Sequence, residues 1–152
     1  MHNRFKGAVL GAALSATMAM GVLGAPLAQA SGRPLGRPVS TAGVCTDGTS
    51  TFTLKSMFDD TPFPQTVGAE FQVITGVVGQ TWQVTLTDNG ATFFNAPVVT
   101  NTAEFPQGGF NVTRPDAGSF SSAHTIEAKA VNQANGAVCS GTVTDQPLTP
   151  IQ

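Results

Sequence analysis

Tyrosine is absent from this 152-residue chain, and cysteine, tryptophan and histidine are nearly so, at two, one and two residues. Charge is scarce too, with seven Lys and Arg against nine Asp and Glu. Past residue 30 the only cations are Arg33, Arg37, Lys55, Arg114 and Lys129, set against all nine acids. No row of phosphates can be neutralised by so few, scattered positive charges, which argues against nucleic acid as a partner. The same shortage removes an electrostatic hold on an anionic bilayer. Leucine is sparse beyond residue 30, and no window there carries an apolar stripe at helical spacing, so almost no helix is expected.

Catalytic groupings are also missing. His124 is the only histidine after residue 30, and Ser119, Ser121 and Ser122 lie near it in sequence. Adjacent serines on an extended segment do not by themselves hold a nucleophile against a base, and no strand-to-helix nucleophile turn is present. His124 is therefore read as a structural residue at the rim of the core. Asp59-Asp60 is the only adjacent acid pair, and it matches neither a glycosidase arrangement nor a calcium loop. Two lone cysteines without C-x-x-C spacing do not make a metal or dithiol site. Asn111-Val112-Thr113 matches a glycosylation sequon and is read as chance. The expectation is a protein with no enzymatic activity, no cofactor and no metal.

What is present begins with residues 1–30. Arg4 and Lys6 precede an uncharged Ala- and Gly-rich run that ends in Ala28-Gln29-Ala30. This is the pattern of a signal-peptide helix with a small-residue cleavage site, so the protein is expected to be secreted, with no membrane segment after cleavage. Residues 31–43, with Gly32, Pro34, Gly36, Pro38 and Gly43, read as a flexible linker. Residues 44–145 form the domain, and residues 146–152, with Pro147 and Pro150, a C-terminal tail. In an exported domain Cys45 and Cys139 have one possible pairing, a disulfide. It would join the two ends of the domain, from just before the first strand to within the last, and would close a loop of about 95 residues worth roughly 4–5 kcal/mol in the chain-entropy picture.

Within the domain, hydrophobic residues alternate at period two. Phe52 and Leu54, Phe71 and Val73, then Trp82, Val84 and Leu86 mark three strands. Asp88-Asn89-Gly90 signals a tight hairpin turn. A fourth strand covers 91–95, and Pro97 begins a possible short edge strand over 98–101. Phe110 and Val112 mark a fifth, ended by Arg114-Pro115. His124, Ile126, Ala128 and Ala130 mark a sixth, and Val138 to Thr144 a seventh. About seven antiparallel strands at this spacing fit an all-β, two-sheet sandwich. Its expected core is Trp82, Val84, Leu86, Phe71 and Ile126, with Ala128 and Ala130 making room for the indole.

A single core tryptophan on the third strand, then a hairpin, then Thr125-Ile126-Glu127-Ala128-Lys129-Ala130-Val131-Asn132 and Gly136-Ala137-Val138-Cys139, resembles immunoglobulin-like and fibronectin type III-like domains of small secreted actinobacterial proteins with no assigned activity. The resemblance covers about residues 44–144 and implies an immunoglobulin-like sandwich. The cysteines do not join the second and sixth strands as in antibody domains, and no functional residue is carried over.

Nine phenylalanines remain after residue 30, more than such a core needs. Adjacent Phe93 and Phe94 cannot both face inward on a regular strand. With Phe105 they form a candidate binding patch, for an unknown protein or cell-surface partner. Two alternatives are a carrier of a small apolar ligand, on the likeness in size and composition to the apoproteins of enediyne antibiotics, and a protease inhibitor using the Pro62- and Pro64-bearing loop over 59–65. Nothing in the residues fixes the oligomeric state.

Overall fold

The computed structural model describes residues 37–59 and 66–147. The signal-peptide reading of 1–30, the start of the expected linker, most of the 59–65 loop with Phe63, and the tail from residue 148 lie outside the described residues. Among the described residues every regular element is a strand. The eight strands are β1 (Val39–Val44), β2 (Thr51–Asp59), β3 (Thr66–Ile74), β4 (Thr81–Asp88), β5 (Ala91–Val99), β6 (Gly109–Ala117), β7 (His124–Asn132) and β8 (Val138–Asp145). They form two four-stranded sheets, ordered β1-β2-β3-β6 and β5-β4-β7-β8, with every pairing antiparallel.

The alternation read in the sequence becomes an alternation of burial. Trp82, Val84, Leu86, Phe71 and Ile126 are all fully buried between the sheets. A run of rings crosses the middle: Phe52 to Phe71, Phe71 to Phe110 and Phe110 to Trp82, at centroid separations of 6.1, 6.5 and 6.3 Å. Val84 pairs with Ala130 and Leu86 with Ala128, so small residues on β7 lie beside large ones on β4. The Asn89-Gly90 hairpin turn has φ of 48° and 84°, the left-handed conformation that Asn and Gly tolerate best.

The structure corrects the sequence reading at four places. Residues 39–43, assigned to the flexible linker, belong to β1, and Cys45 therefore follows a strand instead of preceding the first. Its half-buried positions are Val39, Thr41 and Gly43, too small and too polar to show as hydrophobic alternation. Gly43 is needed there, since a Cβ would stand 2.8 Å from the ring of its cross-strand partner Phe52. Second, β5 runs through Pro97 without a break, and third, β6 runs through Pro115. Both are edge strands, whose outer amide row takes no part in the ladder and so tolerates proline. Fourth, Phe93 and Phe94 are both half-buried and packed against the core. The register slips between Leu86, paired with Phe94, and Thr87, paired with Thr92, so Phe93 is the extra residue of a β-bulge and escapes strict alternation.

One side of the sandwich is closed covalently. Cys45 and Cys139 form a disulfide with a Cα–Cα distance of 4.4 Å, joining the β1–β2 connection to β8. Beside it, Thr46 exchanges backbone bonding with Val138, its N–H donating to the Val138 carbonyl at 2.9 Å and its hydroxyl accepting from the Val138 N–H at 2.8 Å. The Phe52 ring fills the remaining gap, lying over Gly43 and over Gly141, where a Cβ would stand 2.7 Å from it. Replacing both cysteines by alanine is expected to lower unfolding free energy by roughly 2–5 kcal/mol. The urea midpoints of the variant and the oxidised parent check this, and an unchanged midpoint would contradict it.

Candidate functional site

The three phenylalanines singled out in the sequence do not stand together. Phe93 and Phe94 occupy the hairpin end of β5, while Phe105 lies in the β5–β6 connection beyond the other end of the strand. Phe94 to Val99 alone spans about 16 Å at strand rise. Phe94 is further covered by Arg114, whose guanidinium carbon sits 4.7 Å from the ring centroid and ties the β5 edge of one sheet to the β6 edge of the other. Phe105 packs against Gly109, where a Cβ would come within 2.9 Å of its ring.

Large apolar side chains are exposed instead at Val44 (62%), which ends β1, at Met57 on β2, and around the β3–β4 connection. Val77 and Val78 are 49% and 55% exposed, and Val99 is 52% exposed. The registers Ile74–Gly109 and Thr81–Val99 bring the β3–β4 and β5–β6 connections to the same end of the sandwich. Buried Thr100 joins them: its hydroxyl donates to the Val77 carbonyl at 2.7 Å and accepts from the Gln80 N–H at 2.9 Å. Its carbonyl accepts from the Gly79 N–H, and its own N–H donates to the Gln80 carbonyl, both at 2.9 Å. The Thr75 and Gly76 N–H groups donate to the Gly108 carbonyl at 3.0 and 3.2 Å. Gly108 has φ of 100°, and a Cβ there would lie 2.7 Å from the Val77 backbone, so the two loops touch main chain to main chain. Val77, Val78, Val99 and Phe105 thus sit on a backbone held by hydrogen bonds rather than on a loose loop. The pointer in the sequence was a valine pair inside a turn bracketed by Gly76 and Gly79.

The opposite end holds a buried polar cluster that no sequence motif announced. His124, expected at the core rim, is buried. Its Nδ1 lies 2.5 Å from Asp88 Oδ2 and its Nε2 lies 3.2 Å from the Ser119 carbonyl oxygen. A carbonyl only accepts, so Nε2 carries a hydrogen. Phe58 meets the imidazole edge-on at 5.6 Å, and Gly118 covers it so closely that a Cβ would stand 3.2 Å from Cε1. Both ring nitrogens are therefore engaged, and the nearby Ser119 and Ser121 hydroxyls bond each other at 2.7 Å instead of the ring. Asp145, the cross-strand partner of His124, accepts from the Ser56 hydroxyl and so links β8 of one sheet to β2 of the other. Burial pushes the Asp145 carboxyl above the usual aspartate value of 3.8; the Ser56 hydrogen bond and His124 oppose the rise, and the charge of Asp88 adds to it. Among the described residues no three His, Cys, Asp or Glu converge as a metal-ligand set.

No protein-family model, curated protein or solved structure matches this chain.

Two outcomes follow from these geometries. Thr100→Val removes the hydroxyl that serves Val77 and Gln80, and is expected to cost about 1–3 kcal/mol and to speed hydrogen exchange at Gln80. Unchanged stability and exchange would show that the loops do not depend on it. A carboxyl that holds its proton more tightly when folded contributes stability that is complete at low pH and is lost as pH rises through its folded value. Asp145→Asn is therefore expected to gain stability relative to the parent as pH rises from about 4 to about 7. Urea midpoints across that range test this, and a pH-independent difference would refute it.

Proposed function

We propose that this protein is a secreted, non-catalytic immunoglobulin-like module, closest in plan to a fibronectin type III-like domain, that binds a protein or cell-surface partner. The plan is supported by the strand order, in which β2-β3-β6 faces β5-β4-β7-β8 with β1 added at one edge, and by one fully buried tryptophan on β4. Export is supported by the signal-like run over 1–30 together with the disulfide, a bond that persists outside the reducing cytoplasm.

The observation that carries the binding reading is the exposure of Val77, Val78 and Val99 on a backbone fixed by Thr100 and Gly108. Isolated exposed valines are ordinary, but exposed valines at neighbouring connections with a fixed backbone are a preorganised contact surface that loses little entropy on docking. Strand addition at the β5 and β6 edges is disfavoured, because each carries a proline. Carriage of an apolar ligand is disfavoured by the rings of Phe52, Phe71, Phe110 and Trp82, which occupy the space between the sheets.

The test is affinity capture from the producing cells' walls and culture medium with the oxidised, exported protein as bait. Two variants serve as controls, Val77→Ser/Val78→Ser and Phe93→Ser/Phe94→Ser. A species held by the parent and the phenylalanine variant, but reduced about tenfold by the valine variant, is the expected result, that loss matching about 1.4 kcal/mol. No captured species, or equal retention by all three proteins, would overturn the reading.

A further inference from the structure

We infer that the loop end bearing Val77 and Val78 takes a protein surface that is both apolar and basic. This rests on the binding reading above and adds the chemistry of the partner. The registers place four connections at this end, over residues 45–50, 75–80, 100–108 and 133–137. Together they contain no Lys, Arg or His, and their only charged residues are Asp47 and Glu104. The cations among the described residues are elsewhere. Arg37 precedes β1 at the far end, Lys55 is paired with Glu70 on the face of its sheet, Arg114 is stacked on Phe94, and Lys129 lies in the middle of β7.

Both carboxylates are placed to present negative charge. Asp47 Oδ1 accepts from the Thr49 and Ser50 N–H groups at 3.0 and 2.8 Å, and Oδ2 accepts from the Ser50 hydroxyl at 2.6 Å. Desolvation works against ionisation there, but these bonds win and hold the carboxyl below the usual value. Glu104 is exposed one residue from Phe105. Exposed Val77, Val78 and Val99, with Glu104 and Asp47 as the charged residues of the connections at the same end, match an interface whose core is uncharged and whose rim selects by sign. A second copy of the same surface would bring like charges together, and an anionic membrane would be repelled. A partner with lysine or arginine around an apolar contact is attracted on both counts.

The experiment is a titration of the 15N-labelled, oxidised, exported protein, followed by amide shifts. The probes are a Leu- and Lys-bearing peptide spaced by Gly and Ser, the same peptide with Glu for Lys, and phosphatidylcholine vesicles with and without phosphatidylglycerol. The expected result is shifts confined to residues 75–79 and 99–108 with the Leu/Lys peptide alone. That binding should weaken on the order of threefold as salt rises from about 50 to about 500 mM. Val77→Ser/Val78→Ser should abolish the shifts while the remaining amides keep their positions, and Glu104→Lys should reverse the preference between the peptides. Shifts with both peptides equally, shifts elsewhere, shifts from vesicles, or none at all would each overturn the inference. Capture of a species that the valine variant loses, with the Leu/Lys peptide silent, would leave the module reading standing and remove only the basic partner.

Discussion

The bond between Cys45 and Cys139 decides where the two sheets meet, and the neighbouring residues are chosen to let it form. Sheets in a sandwich stand about 10 Å apart, yet the bonded Cα atoms are 4.4 Å apart. The chain must therefore leave one sheet and reach the other at this corner. Thr46 makes that crossing, bonding to Val138 through both backbone and hydroxyl. Gly43 and Gly141 lack the Cβ atoms that would collide with Phe52, so an aromatic ring can occupy the seam between β1 and β8. Covalent tie, crossing segment and ring act as one closure.

The other side of the sandwich is held differently. There β5 and β6 are joined by side chains, chiefly Arg114 over Phe94, without a covalent link. The bulge at Phe93 places two successive rings against the rim of the core where regular pleating would turn one away. β5 contains no buried residue along its length, although Phe93, Phe94, Val98 and Val99 are on it. At the two ends the contrast is between chemistry and exposure. One end buries Asp88, His124, Asp145 and Ser56, with Phe58 edge-on to the imidazole, and the other uses buried Thr100 together with Gly108 to hold valines in solvent.

Much of this plan was legible in the residues, and the gaps have physical causes. Strands whose inner positions are large and apolar, such as β4 with Trp82, Val84 and Leu86, announce themselves by alternation. β1 does not, because its inner positions are Val39, Thr41 and Gly43, and what holds it in place, the Phe52 ring of β2 and the bond from Cys45 to distant Cys139, lies outside the strand. Pro97 and Pro115 read as breaks because local chemistry cannot reveal that a strand lies at an edge. The disulfide followed from a cysteine count of two. The polar cluster did not, since Ser56, Asp88, His124 and Asp145 meet only through tertiary pairing. The loop-end surface was half legible: the glycines around Val77 and Val78 marked the turn, but Thr100 and Gly108, more than twenty residues on in the sequence, fix its backbone. Phe105 is half-buried against Gly109, and the exposed large apolar side chains on the connections of that end are valines.

The burial of the disulfide has a consequence for persistence. Cys139 is fully buried and Cys45 is only 5% exposed. Thiol–disulfide exchange requires an attacking thiolate to reach one of the sulfurs. In the closed domain that approach is blocked, so reduction waits on opening of the β1–β8 corner. How long the oxidised form lasts among external thiols is then governed by the clock of domain opening, and a reductant added in excess removes the bond no faster than the fold uncovers it.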